Sequence, residues 1–226
     1  SLMGLFAAGL APTGTSDPFA QRRAAIGLVQ LLSAFEIDFN LLHWLELAAR
    51  QLPIETSAEQ LTACAEFITG RLRSSLLDQG YRYDVIDAVL AEQHNNPASA
   101  QREVKAHAQW VEREDWHTIL PAYSRCVRIT RDISTKQQID PAKFIDASEN
   151  ELYRVLETAE NKSQNQGSVN EALSAFLPMI PAVNNFFDAV LVMSEDSTVR
   201  ANRLGLLQRV SALLHGAADL SRLEGF

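Results

Sequence analysis

The sequence has few of the features that mark a secreted, metal-binding or membrane protein. Its 226 residues include only two cysteines, Cys64 and Cys126, and neither lies in a C-x-x-C or other metal-ligand spacing. Both lie on apolar helical stripes, so we expect buried free thiols and a cytoplasmic protein. No run of about 18 apolar residues is present, which predicts that no segment spans a membrane.

Motifs of catalysis are also absent. The sequence contains no G-x-G-x-x-G or G-x-x-x-x-G-K-[ST] loop for phosphates, no H-E-x-x-H and no G-x-S-x-G. Its five histidines are scattered along the chain and share no metal-ligand spacing. We therefore predict no catalytic residue, no metal site and no cofactor in this chain.

Basic residues are outnumbered by acidic ones, and the formal net charge is −8. This balance argues against broad, sequence-independent binding of nucleic acid, which needs a basic surface. It leaves open a local basic patch that contacts RNA.

Helical periodicity runs through almost every segment, and strand alternation is missing, so we predict an all-α helical bundle. Asp17 and Asp38 are the expected N-caps of two early helices, and residues 57–60 form an expected capping box. Residues 161–167 are the clearest loop. We place a domain boundary near residue 55, which divides the chain into residues 1–55 and 56–226.

Two basic clusters are candidates for contact with RNA. The first combines Arg71 and Arg73, late in a helix, with Tyr81, Arg82 and Tyr83 after the Gly80 turn. Arginine binds phosphate in a bidentate manner, and tyrosine stacks on unpaired bases. The alternative is structural, because basic residues at a helix C-terminus are favourable without any ligand.

The second cluster is a stripe of three arginines, Arg125, Arg128 and Arg131, at three-residue spacing along one helix. Lys136 continues the positive charge. An ordinary solvated helix face is the alternative interpretation. The segment from Asp140 to Glu160 is acidic, so an RNA footprint should avoid it.

Three motifs together resemble the beta subunit of the bacterial heterotetrameric glycyl-tRNA synthetase. They are residues 12–25 (PTGTSDPFAQRRAA), residues 71–73 with 80–89 (RLR and GYRYDVIDAV), and residues 186–193 with 200–204 and 218–221 (FFDAVLVM, RANRL and ADLS). The first is similar to the end of the family's HD-like region. The other two are similar to the start and the end of an anticodon-binding domain related to that of arginyl-tRNA synthetase.

The resemblance implies that residues 1–55 close the HD-like region and that residues 56–226 form the helical anticodon-binding domain. It also implies a fragment of a longer subunit in a tetramer of two alpha and two beta subunits. The alpha subunit would use ATP to activate glycine, and this chain would bind glycine tRNA without catalysis of its own. The alternative is a helical scaffold, or a module that docks the alpha subunit, without direct RNA contact.

Overall fold

The computed structural model describes residues 2–162 and 167–226. Its α-helices are α1 (Leu2–Ala7), α2 (Gln21–Ala34), α3 (Leu41–Arg50), α4 (Ala58–Asp78), α5 (Tyr83–Gln93), α6 (Pro97–Val111), α7 (Trp116–Thr130), α8 (Ala147–Lys162), α9 (Val169–Phe176), α10 (Ile180–Ala189) and α11 (Ser197–Ala212). Short 3-10 turns occupy Pro141–Lys143, Leu177–Met179 and Leu220–Arg222. These ranges hold no β-strand, which confirms the all-α prediction.

The helices form two compact units, Ser1–Ala108 and Gln109–Phe226, called unit 1 and unit 2 below. The division falls within α6 and not near residue 55. Helices α1, α2 and α3 all pack on α4, so elements on both sides of the predicted boundary share one unit. The boundary at residue 55 therefore stays a prediction about where the domains of the family begin and end. It does not coincide with the division between the two compact units.

Unit 1 is built around the long helix α4. The helix begins at the capping box that the sequence predicts: the Gln60 backbone N–H donates to the Ser57 hydroxyl, and the Ser57 N–H donates to the Gln60 side chain. Its inward face carries Ile68, Leu72 and Leu76, each at most 1% exposed. The chain then turns at Gly80, whose φ of 90° favours glycine.

Two residues of unit 1 that the sequence predicts as N-caps, Asp17 and Asp38, do not occupy the N-cap position in the structure. Asp17 precedes α2 by four residues, and its carboxylate accepts the backbone N–H groups of Gln21 and Arg22 across a turn. Asp38 does not cap α3, because Asn40 holds that position and accepts the N–H of His43. Asp38 instead accepts hydrogen bonds from the side chains of Asn96 and Arg102, which are distant in sequence.

Unit 2 packs α7 against α10 and α11, and α8 against α9, α10 and α11. Its core contains Ile119, Leu152, Phe176, Phe186 and Leu207, all fully buried. α11 supplies much of this core. Of the predicted loop 161–167, residues 163–166 lie outside the described residues.

A buried ion pair joins three segments of unit 2. The Arg203 Nε donates to Glu149 Oε1 over 2.8 Å, and its Nη1 donates to the Leu191 carbonyl. Glu149 Oε2 accepts the backbone N–H groups of Ile145 and Asp146. Both charges are satisfied by several partners, which is the condition for burying an ion pair without a large desolvation penalty.

Within the described ranges, no helix is both long enough and apolar enough to cross a membrane. The two cysteines are free and buried, as predicted. Burial raises the pKa of Cys64 to about 11 and, as the largest of several causes, the pKa of Cys126 to about 12, so both thiols stay protonated near neutral pH.

Candidate nucleic-acid interface

Helix α7 holds the second basic cluster because its two faces differ in chemistry. The inward face carries Ile119, Tyr123 and Cys126. The Tyr123 hydroxyl donates to the Ser211 carbonyl of α11 over 2.6 Å and fixes the rotation of α7. Arg125 and Arg128 therefore lie on the exposed face.

Two arginines of this stripe lie over aromatic rings. The Arg125 guanidinium carbon is 4.2 Å from the centre of the Phe187 ring, and that of Arg128 is 5.6 Å from the centre of the Phe226 ring. Such cation–π contacts hold each guanidinium group over its aromatic ring, and the positive charge is retained. Arg131 follows as the C-cap residue and is exposed.

Among the described residues, no carboxylate forms an ion pair with Arg125, Arg128 or Arg131. The three positive charges are thus uncompensated locally, in a chain whose net charge is −8. We call Arg125, Arg128, Arg131, Phe187 and Phe226 the α7 face. Its chemistry suits an RNA strand, because phosphates are bound by arginine and unpaired bases stack on flat guanidinium or aromatic groups.

The first cluster lies in unit 1, and two of its arginines are engaged by acids. Arg73 forms a bidentate pair with Asp87, with 2.6 Å from Nε to Oδ1 and 2.8 Å from Nη2 to Oδ2. Arg82 forms a second bidentate pair with Asp84. These carboxylates compete with any phosphate for the same guanidinium groups.

Asp84 is fully buried and interacts with the buried His107. Desolvation is the main cause that lowers the pKa of His107 to about 4, while Asp84 opposes this shift. The histidine is therefore neutral at physiological pH. Arg82 balances the charge of the buried Asp84, so its ion pair contributes to the fold of unit 1.

The other members of the first cluster differ in accessibility. Arg71 is half-buried and lies over the Phe67 ring at 5.6 Å, and its buried Nε has no hydrogen-bond partner among the described residues. Tyr81 is half-buried, whereas Tyr83 is 51% exposed at the start of α5. Tyr83 is thus the more accessible of the two for stacking.

The aromatic partners of the α7 face were not found as site residues from the sequence. In the sequence, Phe187 is identified only as part of the motif of residues 186–193, and Phe226 has no assigned role. Each lies tens of residues from its arginine, so no local pattern links them. For residues 2–162 and 167–226, no group of three or more His, Cys, Asp or Glu side chains is placed to hold a metal ion.

The fold and the matched family define the class of unit 2. Residues 119–223 match the DALR anticodon binding domain, a range that contains Arg125, Arg128 and Arg131. Residues 1–91 match the glycyl-tRNA synthetase beta subunit. These two matches, together with the relatives described below, confirm the resemblance to the glycyl-tRNA synthetase beta subunit that the motifs indicate.

Several curated relatives match over the full chain. The glycine–tRNA ligase beta subunits of Moorella thermoacetica and Trichlorobacter lovleyi are each 35% identical, over 99% and 100% of this chain. The chloroplastic/mitochondrial glycine–tRNA ligase 2 of Arabidopsis thaliana is also 35% identical, over 100% of this chain. The chain spans 33% of the length of these bacterial relatives and 21% of the plant protein.

Proposed function

We propose that this chain binds the anticodon region of glycine tRNA as the tRNA-recognition part of a glycine–tRNA ligase beta subunit. The observation that carries the proposal is the α7 face, where exposed arginines with no ion-pair partner in the described ranges lie beside aromatic rings within the matched anticodon-binding domain. Anticodon loops present unstacked bases, which proteins recognise by stacking and by contacts to phosphates.

The wider enzyme belongs to the same proposal. We infer an alpha subunit that carries the class II catalytic core, binds ATP and activates glycine, in a cytoplasmic assembly of two alpha and two beta subunits. In this scheme the present chain uses no cofactor and supplies no catalytic residue. Its contribution to the attachment of glycine is to hold the correct tRNA.

The candidate residues differ in how directly they can test this function. Arg82→Ala would leave the buried Asp84 without its bidentate partner and so would disturb the fold of unit 1. Arg128 is a better probe, because it is exposed and pairs with no carboxylate in the described part of the chain.

The first prediction concerns Arg128→Ala. Loss of one phosphate contact should weaken glycine tRNA binding by about three- to tenfold. It should also reduce the slope of log affinity against log salt by about 0.7 to 1. Fluorescence anisotropy with labelled tRNA at several salt concentrations measures both quantities.

The matched control is Arg154→Ala. Arg154 is also an exposed arginine of unit 2, but it lies on the acidic helix α8. This variant loses the same charge and should keep the affinity and the salt slope of the unmodified chain. Equal losses in the two variants would show that only net charge matters and would remove the α7 face as the site.

A second candidate function is docking of the alpha subunit. Unit 1 exposes large apolar side chains, including Phe35 (74%), Leu31 (51%) and Trp44 (51%), and such surfaces are typical of protein interfaces. Capture of the alpha subunit by this chain, together with no measurable tRNA binding, would favour docking over RNA recognition.

A further inference from the structure

A cleft with charged, polar and apolar lining groups opens in unit 2 where α7 ends. Its volume is about 660 Å³, and it is lined by the C-terminal part of α7, the segment after it, the end of α8 and one face of α11. Arg131 of the α7 face is one of its lining residues. The row of arginines therefore ends in a cavity and not on a flat surface.

The segment 133–137 forms one wall, and α11 holds it in place. Gln208 accepts the Gln137 N–H over 2.9 Å and donates its amide group to the carbonyls of Ile133 and Thr135. Gly205 allows the close approach, because a Cβ at this position would come within 2.8 Å of Ile139 Cγ1 and 3.2 Å of the Gln137 carbonyl. The cleft is thus fixed by specific contacts.

The charge inside the cleft is positive. Arg209 is neutralised by a bidentate pair with Glu160 and lies over the Tyr153 ring. Arg131 and Lys136 form no ion pair within the described ranges. The uncompensated charge of the cleft therefore comes from these two residues, and it favours an anion.

The remaining lining groups suit a nucleotide. His215 is exposed at the cleft and offers an imidazole ring for stacking, while the Ser134 hydroxyl can donate or accept a hydrogen bond. Val127 and Ala212 add apolar surface. The volume lies within the range of about 300–1,000 Å³ that holds small ligands.

We propose that this cleft receives one nucleotide that is flipped out of a single-stranded RNA loop, with its phosphate at Arg131 and Lys136 and its base near His215. The inference rests on the proposed function and adds a position for one nucleotide of the loop. A free nucleotide carries the same phosphate and base as a nucleotide of an RNA loop and could contact the same groups. The RNA strand is favoured because Arg125 and Arg128 continue the line of positive charge away from the cleft, where neighbouring phosphates would lie.

The test uses the full 226-residue chain and glycine tRNA carrying 2-aminopurine at single anticodon-loop positions. Ala212→Trp fills the cleft without changing its charge, and Lys136→Met removes one charge. Lys143→Met is the matched control, because Lys143 is exposed, pairs with Asp140 and does not line the cleft. Adenosine and cytidine monophosphates serve as free-nucleotide probes.

We expect Lys136→Met and Ala212→Trp to weaken tRNA binding by about three- to tenfold. Both should also abolish the fluorescence change at one loop position, while Lys143→Met leaves binding and fluorescence unaltered. Free monophosphates should not displace the tRNA at millimolar concentration. This set of results supports the proposal.

Three other outcomes overturn it in distinguishable ways. If Arg128→Ala weakens binding while both cleft variants bind normally, the cleft proposal is wrong and the α7 face stands. If the unmodified chain does not bind glycine tRNA, the proposed function fails and the cleft proposal falls with it. If monophosphates bind the cleft and the tRNA does not compete, the cleft is a free-nucleotide site.

Discussion

His107 is a single buried side chain that makes the stability of unit 1 depend on pH. The imidazole is fully buried, and desolvation lowers its pKa to about 4. An unfolded chain would titrate this group near its ordinary value of about 6.5. The unfolded state therefore binds the proton more readily, and acid favours unfolding.

The resulting prediction is a stability loss between about pH 7 and about pH 5. The contribution of neutral His107 is fully present above about pH 6.5 and is lost as the pH falls toward about 4. The free energy of unfolding should drop by about 2 kcal/mol over this interval because of this residue. Urea denaturation at the two pH values measures it.

His107→Leu should remove most of that pH dependence, even if the variant is less stable at both pH values. His94→Asn changes an exposed histidine of the same unit and should leave the dependence unaltered. A pH dependence in His107→Leu equal to that of the unmodified chain would contradict the assignment.

At the scale of elements, a glycine sets the distance between α11 and the segment after α7. Gly205→Ala would gain about 1 kcal/mol of helix propensity. It would also force Ile139 and the Gln137 carbonyl away from the helix, which costs more. We expect a net destabilisation of about 1–2 kcal/mol, measured by chemical denaturation.

Gly70→Ala is the matched comparison, because Gly70 also lies inside a helix but would have no atom within 4 Å of its new Cβ. That substitution should stabilise the chain by about 0.5–1 kcal/mol. If both substitutions stabilised the chain equally, the close packing of the segment on α11 would not contribute to stability.

Local signals in the sequence predicted the helices well. Ser57 and Gln60 lie three residues apart and form their capping box within one turn, so their pattern contains the whole interaction. Asp38 misled the prediction because its partners, Asn96 and Arg102, are about sixty residues away. Helix positions follow from short-range contacts, whereas the role of a side chain depends on what the fold brings to it.

The candidate site was predictable to a similar extent. The spacing of Arg125, Arg128 and Arg131 indicated a shared helix face, which the structure shows as exposed. Phe187 and Phe226 reach that face only through the tertiary fold. Gln208 and Ala212 of α11 and His215 just after it are spaced by four and three residues, a pattern that could have indicated one cleft-lining face.

At the scale of the whole molecule, the two units differ in the chemistry of their surfaces. In unit 1, Arg73 and Arg82 of the first cluster pair with acids, and several large apolar side chains are exposed. Unit 2 carries the three arginines of the α7 face, which form no ion pair within the described residues, together with aromatic rings and a positively charged cleft in the matched anticodon-binding domain. The net charge of −8 limits sequence-independent binding, so affinity for RNA should depend on this local surface.

The central claim is that the chain recognises the anticodon of glycine tRNA. The most direct measurement is the affinity of the full chain for glycine tRNA and for the same tRNA with a substituted anticodon, at one salt concentration. We predict at least about tenfold weaker binding of the substituted tRNA, because mismatched contacts cost about 1–3 kcal/mol each. Equal affinity for the two, under conditions where the whole enzyme discriminates between them, would contradict the account.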